Sequence, residues 1–247
     1  MLGAKGWRVR VVHITDGAPR DPSLRPTLRA LAPSEAAAVR RAELAAALLA
    51  GGLDPDVVLA PSLGVPDQDA TLAMVEVARA LSRRLVESPP SVVITHPYEG
   101  GHPDHDAVAF AVHAAARMSG LPLRIAEMSS YHAARGRQRI ATASFLPGGA
   151  ASCTARHDGI LGAGAIARKR AMLDAFASQV DVIASFDTLA EPLRCAPAYD
   201  FTRPPHTGPL QYERLAFGWS GERWRALARA ALRNLTSATS QPHASQA

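Results

Sequence analysis

Four short runs rich in Val, Leu and Ile alternate with amphipathic stretches, and this alternation constrains the fold more than any other feature. The runs are Arg8–Ile14, Val57–Ala60, Ser91–Thr95 and Leu123–Met128. Short apolar runs of this kind read as strands buried on both faces, which is the situation in a parallel sheet sandwiched by helices. The stretches between them carry helix signals. Ser34 is a plausible N-cap for a helix through Glu35, Arg40, Glu43 and Leu48 that stops at Gly51-Gly52. Leu72, Val75, Leu81 and Leu85 share a face within Thr71–Val86, and Asp104–Met118 ends at Ser119-Gly120. Beyond Ser129 the order loosens. Arg139–Phe145 reads as one strand of a hairpin, Ala163–Ala177 as a helix and Glu222–Asn234 as a terminal helix. The expected class is α/β, with a mostly parallel sheet covered by helices on both faces.

A chain of 247 residues, 47% of them hydrophobic, suffices for one such domain and does not force two. We expect a single domain over residues 1–235 and a disordered tail over 236–247, rich in Ser, Thr, Gln and Ala. Lysine occurs only at Lys5 and Lys169, so arginine carries the net charge of +5. Two readings of this charge remain open: a coding bias toward Ala, Arg and Pro, or an anionic partner. The arginines form no basic run and no aromatic ladder accompanies them, which disfavours nucleic acid. Cys153 and Cys195 are far apart and outside any C-x-x-C pattern, arguing against both a disulfide framework and a thiolate metal site. There is no membrane-length apolar run and no signal-peptide pattern after Met1, so the expected location is cytoplasmic. Oligomeric state leaves no trace in the sequence.

Two loops leave the carboxyl ends of expected strands, where parallel sheets bind ligands. One is Thr15-Asp16-Gly17. The other, His96-Pro97-Tyr98-Glu99-Gly100-Gly101-His102-Pro103-Asp104-His105, gathers three histidines and two carboxylates in ten positions. Gly100 and Gly101 permit close approach of the backbone to a ligand, and Pro103 suits the first turn of the following helix. Imidazole is a good zinc ligand, and a catalytic zinc takes three protein ligands plus water. No G-x-G-x-x-G follows the first strand, which argues against a dinucleotide-binding domain.

These residues resemble the LmbE-like (PIG-L) family of zinc-dependent N-deacetylases. Val11-Val12-His13-Ile14-Thr15-Asp16-Gly17-Ala18 looks like that family's second strand and T-D-G turn. Arg40-Arg41-Ala42-Glu43 matches its R-x-x-E helix, Leu63-Gly64-Val65-Pro66-Asp67 its L-G-x-P-D loop, and Gly101-His102-Pro103-Asp104-His105 its G-H-P-D-H motif. The matches run in family order through most of residues 8 to 120. The resemblance implies a Rossmann-like domain that removes N-acetyl groups from a small amino-sugar conjugate. It implies that His105 is a zinc ligand, that His102 protonates the leaving amine or stabilises the oxyanion, and that Asp104 orients a histidine. Asp16 and Arg40 would lie near the substrate. For Arg40 an ion pair with Glu43 on its own helix is an equal alternative, and Asp16 and Asp67 could simply shape turns. His13 and His96 receive no role.

The family's opening A-H-P-D-D-E motif, which supplies two further zinc ligands and a water-activating carboxylate, is absent from this sequence. Met1–Gly6 reads as a helix end and glycine stop. We therefore expect a first strand to be missing through a misplaced start, with an incomplete zinc ligand set. The alternative function is a sugar-binding module of the same fold that has lost its chemistry.

Overall fold

The structure is a computed structural model that describes residues 6–133, 140–146, 156–215 and 218–239. After an extended start and two 3-10 turns, α1 spans Pro33–Ala50. Its cap is Ala32, not Ser34: Pro33 takes the first helical position and the Glu35 carboxylate accepts the Ala32 N–H at 2.8 Å. The expected strand Val57–Ala60 is largely replaced by a one-turn helix, α2 (Pro55–Val58). Asp54 caps it through the Asp56 N–H, and Pro55 holds a helical φ, so local chemistry overrides the apolar run.

The helix α3 (Met74–Glu87) leads to β1 (Val93–Thr95), the site loop and α4 (Pro103–Ser119). Then come β2 (Ile125–Met128), β3 (Tyr131–Ala133), β4 (Ile140–Thr142), β5 (Arg156–His157) and α5 (Ala163–Asp174). The one-turn α6 (Val180–Ile183), β6 (Leu193–Cys195) and α7 (Gly221–Thr239) complete the chain. The start of the expected tail, 236–239, is thus helical, while 240–247 lie outside the described residues. The hairpin strand expected at Arg139–Phe145 is β4, paired antiparallel with β3; residue 139 is outside the described residues.

The α/β class holds, but the sheet is smaller and mixed rather than mostly parallel. Its order is β1-β2-β6-β5, with β1 and β2 parallel and the other neighbours antiparallel. Arg8–Ile14 is extended but forms no continuous strand. Parallel bridges join Val11 to Leu59 and Thr15 to Val65, four residues apart on one side and six on the other. Pro61 and Ser62 fall in the longer side, and the surplus interrupts the ladder. Among the described residues no backbone hydrogen bond joins this segment to β1. The two halves meet instead through the core: Ile14 clusters with Met74, Val77 and Leu81 of α3, Phe110 of α4 and Trp224 of α7. The buried face of α4 carries Ala107, Ala111 and Ala115, whose small side chains let α3 approach closely.

Candidate active site

The loop between β1 and α4 is shaped by its own residues and by one the sequence reading did not single out. Asp106 is wholly buried, and its Oδ1 accepts the N–H groups of Glu99 and Gly100 at 3.2 and 3.1 Å. This folds the loop back over the helix start. Gly101 packs against strand β3 so closely that a Cβ there would lie 1.9 Å from the Tyr131 carbonyl oxygen. Only glycine fits. The G-H-P-D-H motif therefore has an architectural reason for its first residue.

His102 is the N-cap of α4: its Nδ1 accepts the Asp104 N–H at 3.1 Å, a role usually filled by Ser, Thr, Asp or Asn. That bond assigns the ring proton to Nε2. Burial and then the nearby His96 ring push the His102 imidazole down to about 3, so it is neutral at physiological pH. His105 lies one turn into the helix, with its ring centroid 5.1 Å from that of His102 and its Nδ1 3.1 Å from Ser130 Oγ. Burial, followed by His96 and His102, holds His105 well below the usual range. The structure adds His96 to this group: its ring stacks on His105 at 4.1 Å with 5° between planes, and burial lowers it to about 4. No periodicity marks a histidine at a strand end as a partner of one nine positions on.

Asp104 sits beside this cluster, but its two oxygens turn to the neighbouring loop. Oδ2 accepts the Gln68 N–H at 2.7 Å and Oδ1 the Ala70 N–H at 3.1 Å. Burial, then the Asp67 carboxylate, push Asp104 up to about 7 against these two bonds. Asp67 itself accepts the Thr15 hydroxyl at 3.2 Å and is raised by burial. Asp16 builds its own turn: Oδ1 accepts the Ala18 and Asp67 N–H groups, and Oδ2 pairs with Arg20 at 2.7 Å. The T-D-G turn, the Pro66–Ala70 loop and the start of α4 are thus hydrogen-bonded into one unit.

Arg40 reaches this unit from α1. Its side chain lies against Gly17, and its charge acts on His13 and Asp67. It also makes the ion pair with Glu43 (2.7 Å) anticipated as the alternative, donates to Ser178 Oγ at 3.2 Å and sits 5.3 Å from the Phe176 ring centre. Its buried Nε has no hydrogen-bond partner among the described residues.

Zinc fits this arrangement poorly. A nitrogen lone pair lies in its ring plane, and the parallel planes of stacked His96 and His105 share no point where one ion could receive both. The Nδ1 of His102 is taken by the Asp104 N–H. Among the described residues no group of three or more His, Cys, Asp or Glu side chains converges to hold a metal.

Residues 1–116 match the family model described as PIG-L: GlcNAc-PI de-N-acetylase. No curated protein sequence matches the chain. Among solved structures, the fold is similar to the zinc-inhibited form of teicoplanin deacetylase Orf2, at 18% identity and a TM-score of 0.56, covering 78% of this chain and 89% of that one. A deacetylase–teicoplanin complex is similar at 18% identity and 0.57, covering 81% and 91%. The A40926 pseudoaglycone deacetylase Dbv21 follows at 22% and 0.52, covering 80% and 89%. Residues 1–116 are thus similar to the PIG-L family model, and the fold of the chain is similar to that of these deacetylases.

Proposed function

We propose that the chain is an N-deacetylase, an amide hydrolase acting on a small amino-sugar conjugate. The family match, the shared fold and the G-H-P-D-H loop support this reading. The single observation that carries it is His102. It is a buried neutral imidazole whose Nδ1 is fixed as an acceptor by a helix N–H, which puts the ring proton on Nε2. A neutral donor held in a water-poor site stabilises the oxyanion that develops when an amide carbonyl is attacked. A ring that protonates only near pH 3 is a poor source of the proton for the departing amine. Of the two roles implied for His102, oxyanion stabilisation is therefore favoured. Asp104 acts as a positioning residue, tying α4 to the Pro66–Ala70 loop. Arg40 and Asp16 belong to the loop unit that Asp104 ties to α4, Asp16 through the Asp67 N–H and Arg40 through its contact with Gly17.

A zinc ion would need ligands beyond His105, which the described residues do not bring together. This shortage supports a second reading, a sugar-binding module without chemistry. Amine release from N-acetylglucosamine conjugates, with and without added zinc, separates the two. His102→Asn preserves a helix cap and should lower kcat by roughly 10²–10³-fold, the worth of one oxyanion donor. Unchanged turnover in that variant removes His102 from the chemistry. Sugar binding without any turnover favours the module.

No helix among the described residues is long and apolar enough to cross a membrane.

A further inference from the structure

Tyr131 opens β3 beside the histidines and takes no part in the chemistry above. Its backbone is held twice: it pairs with Thr142 of β4, and its carbonyl packs against Gly101, the residue before His102. Its ring is held too. It meets the His105 ring edge-on, with centroids 5.3 Å apart, and the Phe186 ring edge-on at 5.9 Å. The residue before it, Ser130, sets its Oγ 3.1 Å from His105 Nδ1. Two successive positions of the chain therefore touch one imidazole of the candidate site.

The hydroxyl sets Tyr131 apart from two other tyrosines of the fold. Tyr98 donates to the Arg203 carbonyl at 2.8 Å, and Tyr199 accepts from Arg194 at 3.1 Å. The Tyr131 hydroxyl makes no hydrogen bond among the described residues, yet it is not one of their solvent-sealed polar atoms. A half-buried, firmly held ring thus ends in a donor that a ligand can reach. We infer that Tyr131 is a substrate-binding residue of the proposed active site, its hydroxyl donating to a neutral oxygen of the sugar.

This inference rests on the deacetylase reading and adds a contact to it. Three observations support it. First, the ring lies on His105 and the backbone on Gly101, so the residue is fixed to the loop that bears the G-H-P-D-H motif. Second, the hydroxyl contributes no hydrogen bond to the fold, and phenylalanine would keep both ring contacts. Its donor is available to a partner from outside. Third, the charged side chains that act on the hydroxyl are carboxyls, Asp67 first, then Asp104 and Asp106. They and burial push the phenol above its ordinary range, so it keeps its proton and donates. A developing oxyanion is disfavoured beside carboxylates, whereas a neutral sugar hydroxyl is not.

The test is Tyr131→Phe in the full chain, which removes the hydroxyl alone. The melting temperature should stay the same or rise, because no hydrogen bond within the fold is lost. N-acetylglucosamine binding, measured by titration calorimetry near neutral pH, should weaken about three- to ten-fold, the worth of one neutral hydrogen bond. KM for an N-acetylglucosamine conjugate should rise by the same factor, with kcat within about two-fold. Unchanged binding and KM overturn the inference while leaving the deacetylase reading in place. A fall in kcat at constant KM also overturns it, since the hydroxyl would then serve the acyl oxygen in the transition state. So does a lower melting temperature, which would give the hydroxyl a partner within the protein, or an unaltered chain that binds no N-acetylglucosamine. Weakened sugar binding in a chain that turns over no conjugate sinks the deacetylase reading and keeps the Tyr131 contact.

Discussion

Stability of Asp104→Asn relative to the original should rise by about 2–3 kcal/mol between pH 5 and pH 8. The Asp104 carboxyl is 5% exposed and is pushed from 3.8 in the open chain to about 7 in the folded one. Between those values the unfolded chain has lost this proton and the folded chain keeps it. The group's contribution to stability therefore falls as pH rises from about 4 through 7. At pH 5 the folded side chain is a neutral acid; asparagine, whose amide nitrogen cannot accept, keeps only one of the two backbone hydrogen bonds at either pH, so that loss cancels in the change between the two pH values. From pH 5 to 8 the aspartate must ionise in place, at a cost of about 1.4 kcal/mol per unit over roughly two units, or about 2–3 kcal/mol. Asparagine is spared that cost. Urea denaturation of both proteins at the two pH values measures the difference. The reasoning fails if the variant gains nothing on the original between pH 5 and pH 8. The Gln68 and Ala70 N–H groups would then hold the carboxylate more strongly than burial disfavours it. If Asp104→Asn also lowers deacetylation while raising stability, the carboxylate is kept for function at the expense of the fold.

Gly101→Ala should destabilise the protein by about 1–3 kcal/mol or more and displace the loop ahead of His102, because its Cβ must push against a strand carbonyl. An unchanged melting temperature would contradict this. His113 packs edge-on against Tyr199 and Phe201, and burial followed by Arg117 lowers it to about 4. Below pH 6.5 the unfolded chain takes up a proton that folded His113 refuses, so stability is lost as pH falls from about 6.5 to 4. His113→Phe should reduce that acid-induced loss by about 2 kcal/mol, read from denaturation at pH 7 and pH 4.5; identical pH profiles would exclude the effect.

What could be read in advance depended on whether the cause was local. The helices α3 and α4 announce themselves through apolar spacing and the Gly120 stop, and the site loop through its contiguous reactive residues. The run Val57–Ala60 reads as a strand, but its four apolar positions weigh less than Asp54 and Pro55, which start the helical turn Pro55–Val58. The strand Leu193–Cys195 is invisible in advance: Arg194 is acceptable inside the sheet only because Glu127, 67 positions away, lies opposite to receive it. Arg40 supported two readings, and the fold realises the ion pair while also setting the side chain against Gly17. The pairing of His96 with His105, and the pinning of the loop by Asp106, depend on how β1 meets α4 in space.

His102, the proposed oxyanion donor, also closes the first turn of α4. Its Nδ1 can accept the Asp104 N–H only while it bears no proton. A proton there would turn an acceptor into a donor and set a full positive charge at the positive end of a 17-residue helix. The helix therefore acts as a clamp on the charge of its own cap: the ring stays neutral as long as the turn is wound, and the turn stays wound as long as the ring is neutral. Acid, or any bound group that forces a proton onto this ring, would loosen at one stroke the segment bearing Asp104, His105 and Asp106. Loss of chemistry and fraying of α4 should then titrate together.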